Sequence, residues 1–196
     1  MGKGERANEP LHQKQIFEQL GITIYGEIKS PGTLEGGDIA WLNETTLAVD
    51  HTYRTNYEGI EQLRKLLTPL SVNLVIAEMP HYHGPNDVLH LMSVFSPTDK
   101  DLAVTYSRLI PIHFRNELIR RKFKLIDVPD QEFITMGYNV LALAAQKVLM
   151  IGGNTMTQEL LQTSGLDIFT YAGIDISIKG GDGPTCMTRP ALRERK

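Results

Sequence analysis

The stretch "DIAWLNETTLAVD" (residues 38–50) decides the fold, because two short apolar runs flank the polar turn Asn43-Glu44. Such a pattern predicts a β-hairpin. A helix with an apolar stripe is predicted from Tyr57 to Leu67, and the run "VNLVIAEM" (72–79) predicts a third strand. Together these segments predict a ββαβ module.

The same pattern recurs twice more, at a period of about fifty residues. The predicted elements of the second copy are strands 88–95, 101–106 and 123–128, with a helix entered by Pro111. Those of the third copy are strands 138–144, 147–152 and 166–171, with a helix capped by Thr155 or Thr157 and ending near Gly165. The recurrence indicates a modular protein.

Partial modules are predicted at both ends of the chain. A helix capped by Asn8 and stopped at Gly21 is followed by a predicted strand at 22–27, and another strand is predicted at 175–181. We therefore expect one α/β domain over residues 1–196, in which ββαβ repeats close head to tail and one repeat is incomplete. A doubly wound βαβ sheet also alternates helices and strands, but it has no need for the paired strands.

Composition narrows the class of protein. Hydrophobic residues make up 41% of the 196 residues, which is enough for a buried core. No apolar run reaches bilayer length, and the first residues are polar. Twenty basic and twenty-three acidic residues give a net charge of −3 without a dense basic face. These features predict a soluble, cytoplasmic protein without a membrane or nucleic-acid partner.

Two acidic residues stand at the start of the first hairpin, in "LEGGDIAW" (34–41). Glu35 and Asp38 would point to opposite faces of a regular strand, but a bulge at Gly36 and Gly37 could turn both into one pocket. Two carboxylates in one pocket suit a planar guanidinium. The alternative is a solvated turn with capping acids.

Three histidines lie close together in "HYHGPNDVLH" (81–90). His90 falls on a predicted buried strand, where its pKa could be tuned, although a core histidine satisfied by a backbone carbonyl is the alternative. His81 and His83 form an H-x-H pair that could chelate a metal with His90. We expect no metal, because no fourth Cys or His ligand lies nearby.

The only cysteine, Cys186, lies in the Gly- and Pro-rich segment "GGDGPTCMTRP" (180–190). A single cysteine cannot form an internal disulfide, so it is either a small buried group or a reactive thiol. The glycines favour a sulfur that lines a cleft. A nucleophilic thiol needs a nearby base or cation, which His90 or a cationic substrate could provide. Arg54 is either an anchor for a ligand carboxylate or a surface arginine.

Four motifs, "LEGGD" (34–38), "YRTN" (53–56), "HLMS" (90–93) and "GGDGPTCMTRP" (180–190), resemble those of the guanidine-modifying superfamily in type and order. That superfamily includes dimethylarginine dimethylaminohydrolases, arginine deiminases and amidinotransferases, and the resemblance looks closest to bacterial members of the dimethylarginine dimethylaminohydrolase type. The resemblance implies a pentein-type α/β propeller of five ββαβ blades. About four of the five are expected here, because the family's N-terminal segment, with its guanidinium-binding "RD" motif, has no counterpart.

The resemblance also implies a role for each site residue. Cys186 would attack the guanidinium carbon, and His90 would protonate the departing amine and then activate water. Glu35 would hold the guanidinium and orient His90, Asp38 would support that site, and Arg54 would bind the α-carboxylate of an arginine-like substrate. The implied reaction converts arginine or methylated arginine to citrulline and needs no cofactor.

Alternative activities stay open at this point. An amidinotransferase would pass the same carbon to another acceptor, although Met92 stands where arginine deiminases and amidinotransferases usually have an aspartate. A catalytically impaired binding module and a homodimer are both compatible with an incomplete propeller. A papain-like hydrolase fits poorly, because the cysteine comes late and in a Gly-rich setting.

Overall fold

The computed structural model describes residues 1–188 and residue 190, and it contains three ββαβ modules. A first helix, α1 (Glu9–Gln19), precedes them. The first module comprises β1 (Ile39–Asn43), β2 (Thr46–His51), α2 (Tyr57–Leu67) and β3 (Asn73–Glu78). The second comprises β4 (Phe95–Asp99), β5 (Leu102–Thr105), α3 (Ile112–Arg120) and β6 (Lys124–Asp127). The third comprises β7 (Leu141–Ala144), β8 (Lys147–Ile151), α4 (Thr155–Thr163) and β9 (Asp167–Tyr171).

Each module forms its own three-stranded sheet with the same topology. The first two strands pair antiparallel, the helix crosses over, and the third strand pairs parallel to the second. A register shift interrupts each hairpin just before its turn, at Leu42, Thr98 and Leu143. These shifts align the modules residue by residue. Asp38 and Asn139 then occupy equivalent positions, each four residues ahead of its shift.

The crossover helices begin through different kinds of cap. Asn56 caps α2 locally, because its side chain accepts a hydrogen bond from the Gly59 N–H at 2.9 Å. At α4 the predicted caps Thr155 and Thr157 are wrong. The buried Glu132 carboxylate instead accepts the N–H groups of Met156 and Thr157, at 2.9 and 2.8 Å. A carboxylate brought from outside the helix thus replaces the local cap.

The chain divides into two compact units. The first comprises residues 1–91 and contains the first module, with Leu47, Val49 and Ile60 among its buried residues. The second begins at Met92 and contains the second and third modules. These two modules share one apolar core, formed by Leu102, Val104, Tyr106, Ile126, Val128, Val140, Val148, Met150, Leu161 and Leu166.

Three predicted strands are wrong in the described chain. Residues 22–27 form no strand, and the segment predicted at 175–181 contains a π-helical turn at Ile174–Ile178. The strand predicted at 88–95 begins only at Phe95, and the preceding "HLMS" motif contains a short 3₁₀ turn, Leu91–Ser93. Of these three segments, only the end of the second module's segment joins a ladder among the described residues, where Phe95 pairs with Thr105.

Helix α1 forms where it was predicted, but the Asn8 side chain makes no capping hydrogen bond, and none of the helix residues is buried. Leu11 and Ile16 expose about half of their surface. Across residues 1–188 and 190, no helix combines the length and the hydropathy needed to cross a bilayer.

Candidate active site

A short 3₁₀ turn, Gly36–Asp38, connects Glu35 to the first strand of the first module. It replaces the left-handed glycine bulge expected from the sequence. The turn packs closely against the His90 ring, because a Cβ at Gly37 would lie 3.2 Å from Cγ of that ring. The turn buries both Glu35 and Asp38, so the alternative of a solvated acidic turn is wrong.

Asp38 is the residue that orients His90. Its Oδ1 accepts a short hydrogen bond from Nδ1 of His90, and its Oδ2 accepts one from the Thr55 hydroxyl. The same hydroxyl accepts the backbone N–H of Glu35 at 3.0 Å. The resemblance assigned the orienting role to Glu35, but the structure gives this hydrogen bond to Asp38. The Nδ1–H tautomer leaves Nε2 of His90 available for proton transfer.

The electrostatic surroundings of His90 favour its charged form. Burial lowers its pKa, but the hydrogen bond and charge of Asp38, together with the charge of Glu35, outweigh burial and the smaller lowering effect of Arg54. The net pKa is raised above the usual value. The Nε2 atom lies 3.8 Å from Oε2 of Glu35, and the side chain keeps 23% of its surface exposed. His90 can therefore carry a proton to a bound group.

Glu35 and Arg54 form a second pair beside His90. Arg54 Nη1 lies 3.7 Å from Oε2 of Glu35, and Nη2 donates to the backbone carbonyl of Asn86 at 3.2 Å. The Arg54 side chain is only 13% exposed, so the alternative of an ordinary surface arginine is wrong. The other oxygen of Glu35, Oε1, accepts the backbone N–H groups of Gly2 and Lys3 at 3.2 and 3.3 Å.

Cys186, in the second unit, is exposed, so the alternative of a small buried core residue is wrong. Asn139 Nδ2 donates to its sulfur at 3.4 Å. The Asn139 Oδ1 atom accepts both the N–H and the hydroxyl of Thr185, each at 2.9 Å. A Cβ on Gly183 would lie 2.1 Å from Cγ of Asn139, so only glycine leaves room for this arrangement.

His81 and His83 do not converge on a common point. The Tyr53 hydroxyl pairs with Nδ1 of His81 at 2.6 Å, and Nδ1 of His83 pairs with Asp87 at 2.7 Å. Among residues 1–188 and 190, no group of three or more His, Cys, Asp or Glu side chains is arranged to hold a metal ion.

Two supporting residues escaped the sequence analysis. Thr55 fixes Asp38, and the buried Asn139 contacts Cys186. Neutral polar side chains such as these have no characteristic spacing. The alignment of the hairpin shifts identifies Asn139 afterwards, because it occupies the position that Asp38 has in the first module.

A family model described as arginine deiminase matches residues 1–113 and 110–193. This chain belongs to the arginine deiminase family. One relative is the uncharacterized protein YkgA of Bacillus subtilis, which is 29% identical over 97% of this chain and 66% of its own length. The arginine deiminase of Listeria welshimeri is 25% identical over 91% of this chain and 52% of its own length.

The fold is also found in a solved structure. Dimethylarginine dimethylaminohydrolase from Pseudomonas aeruginosa, in complex with citrulline, superposes with a TM-score of 0.76 at 20% identity. The match covers 95% of this chain and 67% of that one. The predicted α/β fold of repeated ββαβ modules is thus confirmed. As a member of the arginine deiminase family, the chain spans less than two thirds of the length of the two curated relatives described above.

Proposed function

We propose that this protein hydrolyses the guanidino group of arginine or a methylated arginine, releasing citrulline and ammonia or an amine. The observation that carries the proposal is the contact between the buried Asp38 and the partly exposed His90, beside Glu35, in which His90 has a raised pKa. A protonated imidazole next to a carboxylate suits a reaction that begins with a cationic guanidinium and expels a basic amine. The names of the Listeria and Pseudomonas proteins point to the same chemistry.

The proposed nucleophile is the thiolate of Cys186. Its sulfur forms a bond to the guanidinium carbon, and the resulting tetrahedral carbon expels ammonia or an amine when the C–N bond breaks. The proton that the leaving group needs comes from Nε2 of His90. A thiouronium remains on the sulfur, and the cationic charge of the substrate favours the thiolate that attacks it.

Hydrolysis of the thiouronium completes the proposed cycle. Neutral His90 accepts a proton from water as the water oxygen bonds to the carbon, the C–S bond breaks, and citrulline leaves with a ureido group. The Asp38 contact holds the imidazole in one tautomer through both proton transfers. The net change is the addition of one water molecule and the loss of ammonia or an amine.

Substrate binding is assigned to the two other charged residues. The Oε2 atom of Glu35 faces Nε2 of His90, so a guanidinium held by Glu35 would lie next to the proton donor. Arg54 is proposed to bind the α-carboxylate of the substrate. Its contact with Glu35 is long, at 3.7 Å, so Arg54 is not locked into a tight ion pair. We also propose that the protein forms a homodimer and is located in the cytoplasm.

The test is an assay of citrulline formation. The full chain is incubated with arginine and, separately, with asymmetric dimethylarginine, and the ureido product is measured for wild type, Cys186→Ser and the neighbouring control Met187→Leu. We expect product from wild type and the control, and a loss of about a thousandfold or more in Cys186→Ser. In His90→Gln, citrulline formation should also fall, because both proposed proton transfers use this imidazole.

Two outcomes would contradict the proposal. Product formation that survives Cys186→Ser would mean that another group is the nucleophile. Negligible product from all variants, combined with saturable arginine binding, would favour a binding module that does not turn over its ligand. Transfer to an added amine instead of water would identify an amidinotransferase.

A further inference from the structure

A second buried aspartate lies next to the Asp38–His90 pair. Ile39 and Val49 are the last partners of the β1–β2 ladder at this end, and Asp38 and Asp50 are the next residues on the two sides. Cross-strand neighbours of this kind place their side chains on the same face. Both aspartates are fully buried. Two carboxyl groups therefore share a space from which water is excluded.

The hydrogen-bonding surroundings of the two aspartates are unequal. Asp38 receives donors on both oxygens, from His90 and Thr55. No donor reaches either oxygen of Asp50 with full hydrogen-bond geometry within the described part of the chain. Adjacent buried carboxyl groups cannot both ionise without a large cost, so the negative charge resides on Asp38, where the donors are.

The pKa of Asp50 agrees with this assignment. Burial raises it well above the usual range, and the neighbouring Asp38 carboxylate raises it further. The backbone N–H groups of Leu91 and of Asp50 itself lower it by smaller amounts. Asp50 is therefore a neutral carboxylic acid, with one O–H group available to donate.

We propose that Asp50 is a positioning residue that donates its proton in a hydrogen bond to Asp38 and so controls how strongly Asp38 holds the His90 proton. A carboxylate can accept about four hydrogen bonds, so Asp38 has room for a third donor. Each donor disperses part of the negative charge on Asp38. Removing the Asp50 donor would leave more negative charge on the Asp38 oxygen that faces His90, and this would raise the pKa of the imidazole.

The catalytic meaning of this inference rests on the proposed function. An acid–base group works best when its pKa lies near the working pH, because it must both release and regain a proton. An imidazolium held too tightly by Asp38 would protonate the leaving amine slowly. The third donor would thus keep His90 able to exchange its proton.

The test compares two substitutions of similar size. Asp50→Asn keeps a neutral polar group with a donor, whereas Asp50→Leu removes the donor and stays apolar. The His90 pKa is measured in the unliganded protein by proton–carbon NMR of the imidazole groups. His90 is one of six histidines, and its signal is the one missing from His90→Gln. The other charged groups that act on His90 are Asp38, Glu35 and Arg54, and both variants retain them.

We expect Asp50→Asn to leave the His90 pKa unchanged and Asp50→Leu to raise it. A role in packing alone would alter thermal stability without moving the His90 titration. An unchanged His90 pKa in Asp50→Leu would overturn the inference, and so would a clear fall in Asp50→Asn, because it would mean that Asp50 carries a negative charge. Should Asp50→Leu fail to fold, Asp50→Ala removes the same donor with less volume.

Activity gives a second readout. With arginine as substrate, kcat should fall about tenfold in Asp50→Leu and stay within about threefold of wild type in Asp50→Asn. The titration and the assay separate the two proposals. If the protein turns over no guanidino compound, the proposed function fails, and the NMR titration still decides the role of Asp50.

Discussion

Replacing Gly183 by alanine should damage the surroundings of Cys186 through one steric contact. The added Cβ would lie 2.1 Å from Cγ and 2.3 Å from Oδ1 of Asn139, whereas ordinary contacts begin near 3.4 Å. The Asn139 amide must therefore retreat by roughly 1 Å. That movement breaks the two hydrogen bonds from Thr185 to Asn139 Oδ1 and the contact with the Cys186 sulfur.

The expected cost follows from these losses. Each hydrogen bond contributes about 1 kcal/mol, and forcing extra volume into a packed site costs about 1–3 kcal/mol. We expect Gly183→Ala to lower the free energy of unfolding by about 3–5 kcal/mol, which is a large share of the stability of a typical domain. Urea denaturation followed by far-UV circular dichroism measures the change. Gly4→Ala is the matched control, because a Cβ at Gly4 meets no atom within 4 Å.

A double-mutant cycle decides whether the clash is the cause. In Asn139→Ala the obstructing amide is gone, so adding Gly183→Ala should cost at least 1 kcal/mol less than it does in wild type. If Gly183→Ala is equally destabilising in both backgrounds, the close approach to Asn139 is not what requires glycine at this position.

Two further predictions concern the first and third modules. The raised pKa of His90 contributes stability that is fully present below the unfolded value of about 6.5 and is lost as pH rises through the folded value. Asp38→Asn should therefore lower the His90 pKa and reduce the fall in unfolding free energy between about pH 6 and pH 9. Urea denaturation at each pH measures this fall, and an unchanged dependence of the unfolding free energy on pH would refute the prediction. Glu132→Ala removes the cap of α4 and should lower the free energy of unfolding by about 2 kcal/mol, with faster amide hydrogen exchange in the first turn of that helix. Glu159 is exposed on the same helix, and Glu159→Ala should lower the free energy of unfolding by less than about 0.5 kcal/mol in the same urea denaturation assay. Equal costs for the two glutamates would contradict the capping role.

Local features of the fold were predictable from the sequence. Helix α2 was predicted with its observed bounds, Tyr57–Leu67, because its apolar stripe is encoded within a few residues. The paired strands of the hairpins were predicted for the same reason. Segments 22–27 and 175–181 have a similar apolar pattern, but no strand pairs with them in the part of the chain that the structure describes. Strand pairing depends on distant residues that a local pattern does not contain.

The site was predictable in its charged residues but not in their contacts. The carboxylates of Glu35 and Asp38 both lie beside His90, as the resemblance implied, although their odd spacing alone would place them on opposite faces of a regular strand. Which acid contacts Nδ1 of His90 depends on the 3₁₀ turn, and that turn was predicted as a bulge. The cap formed by Glu132 links residues more than twenty positions apart, so no sequence window that covers one helix could detect it.

Asp38 and Asn139 occupy equivalent positions in two modules but contact chemically different groups. Each residue stands just ahead of a module's first strand and steadies a residue that follows the third strand of the same module, His90 in one case and Cys186 in the other. The same position in two modules thus serves two purposes. An acid at that position stabilises a cationic imidazole, whereas an amide at that position contacts a sulfur without adding charge. The identity of one side chain therefore determines whether the module supports a proton carrier or a thiol.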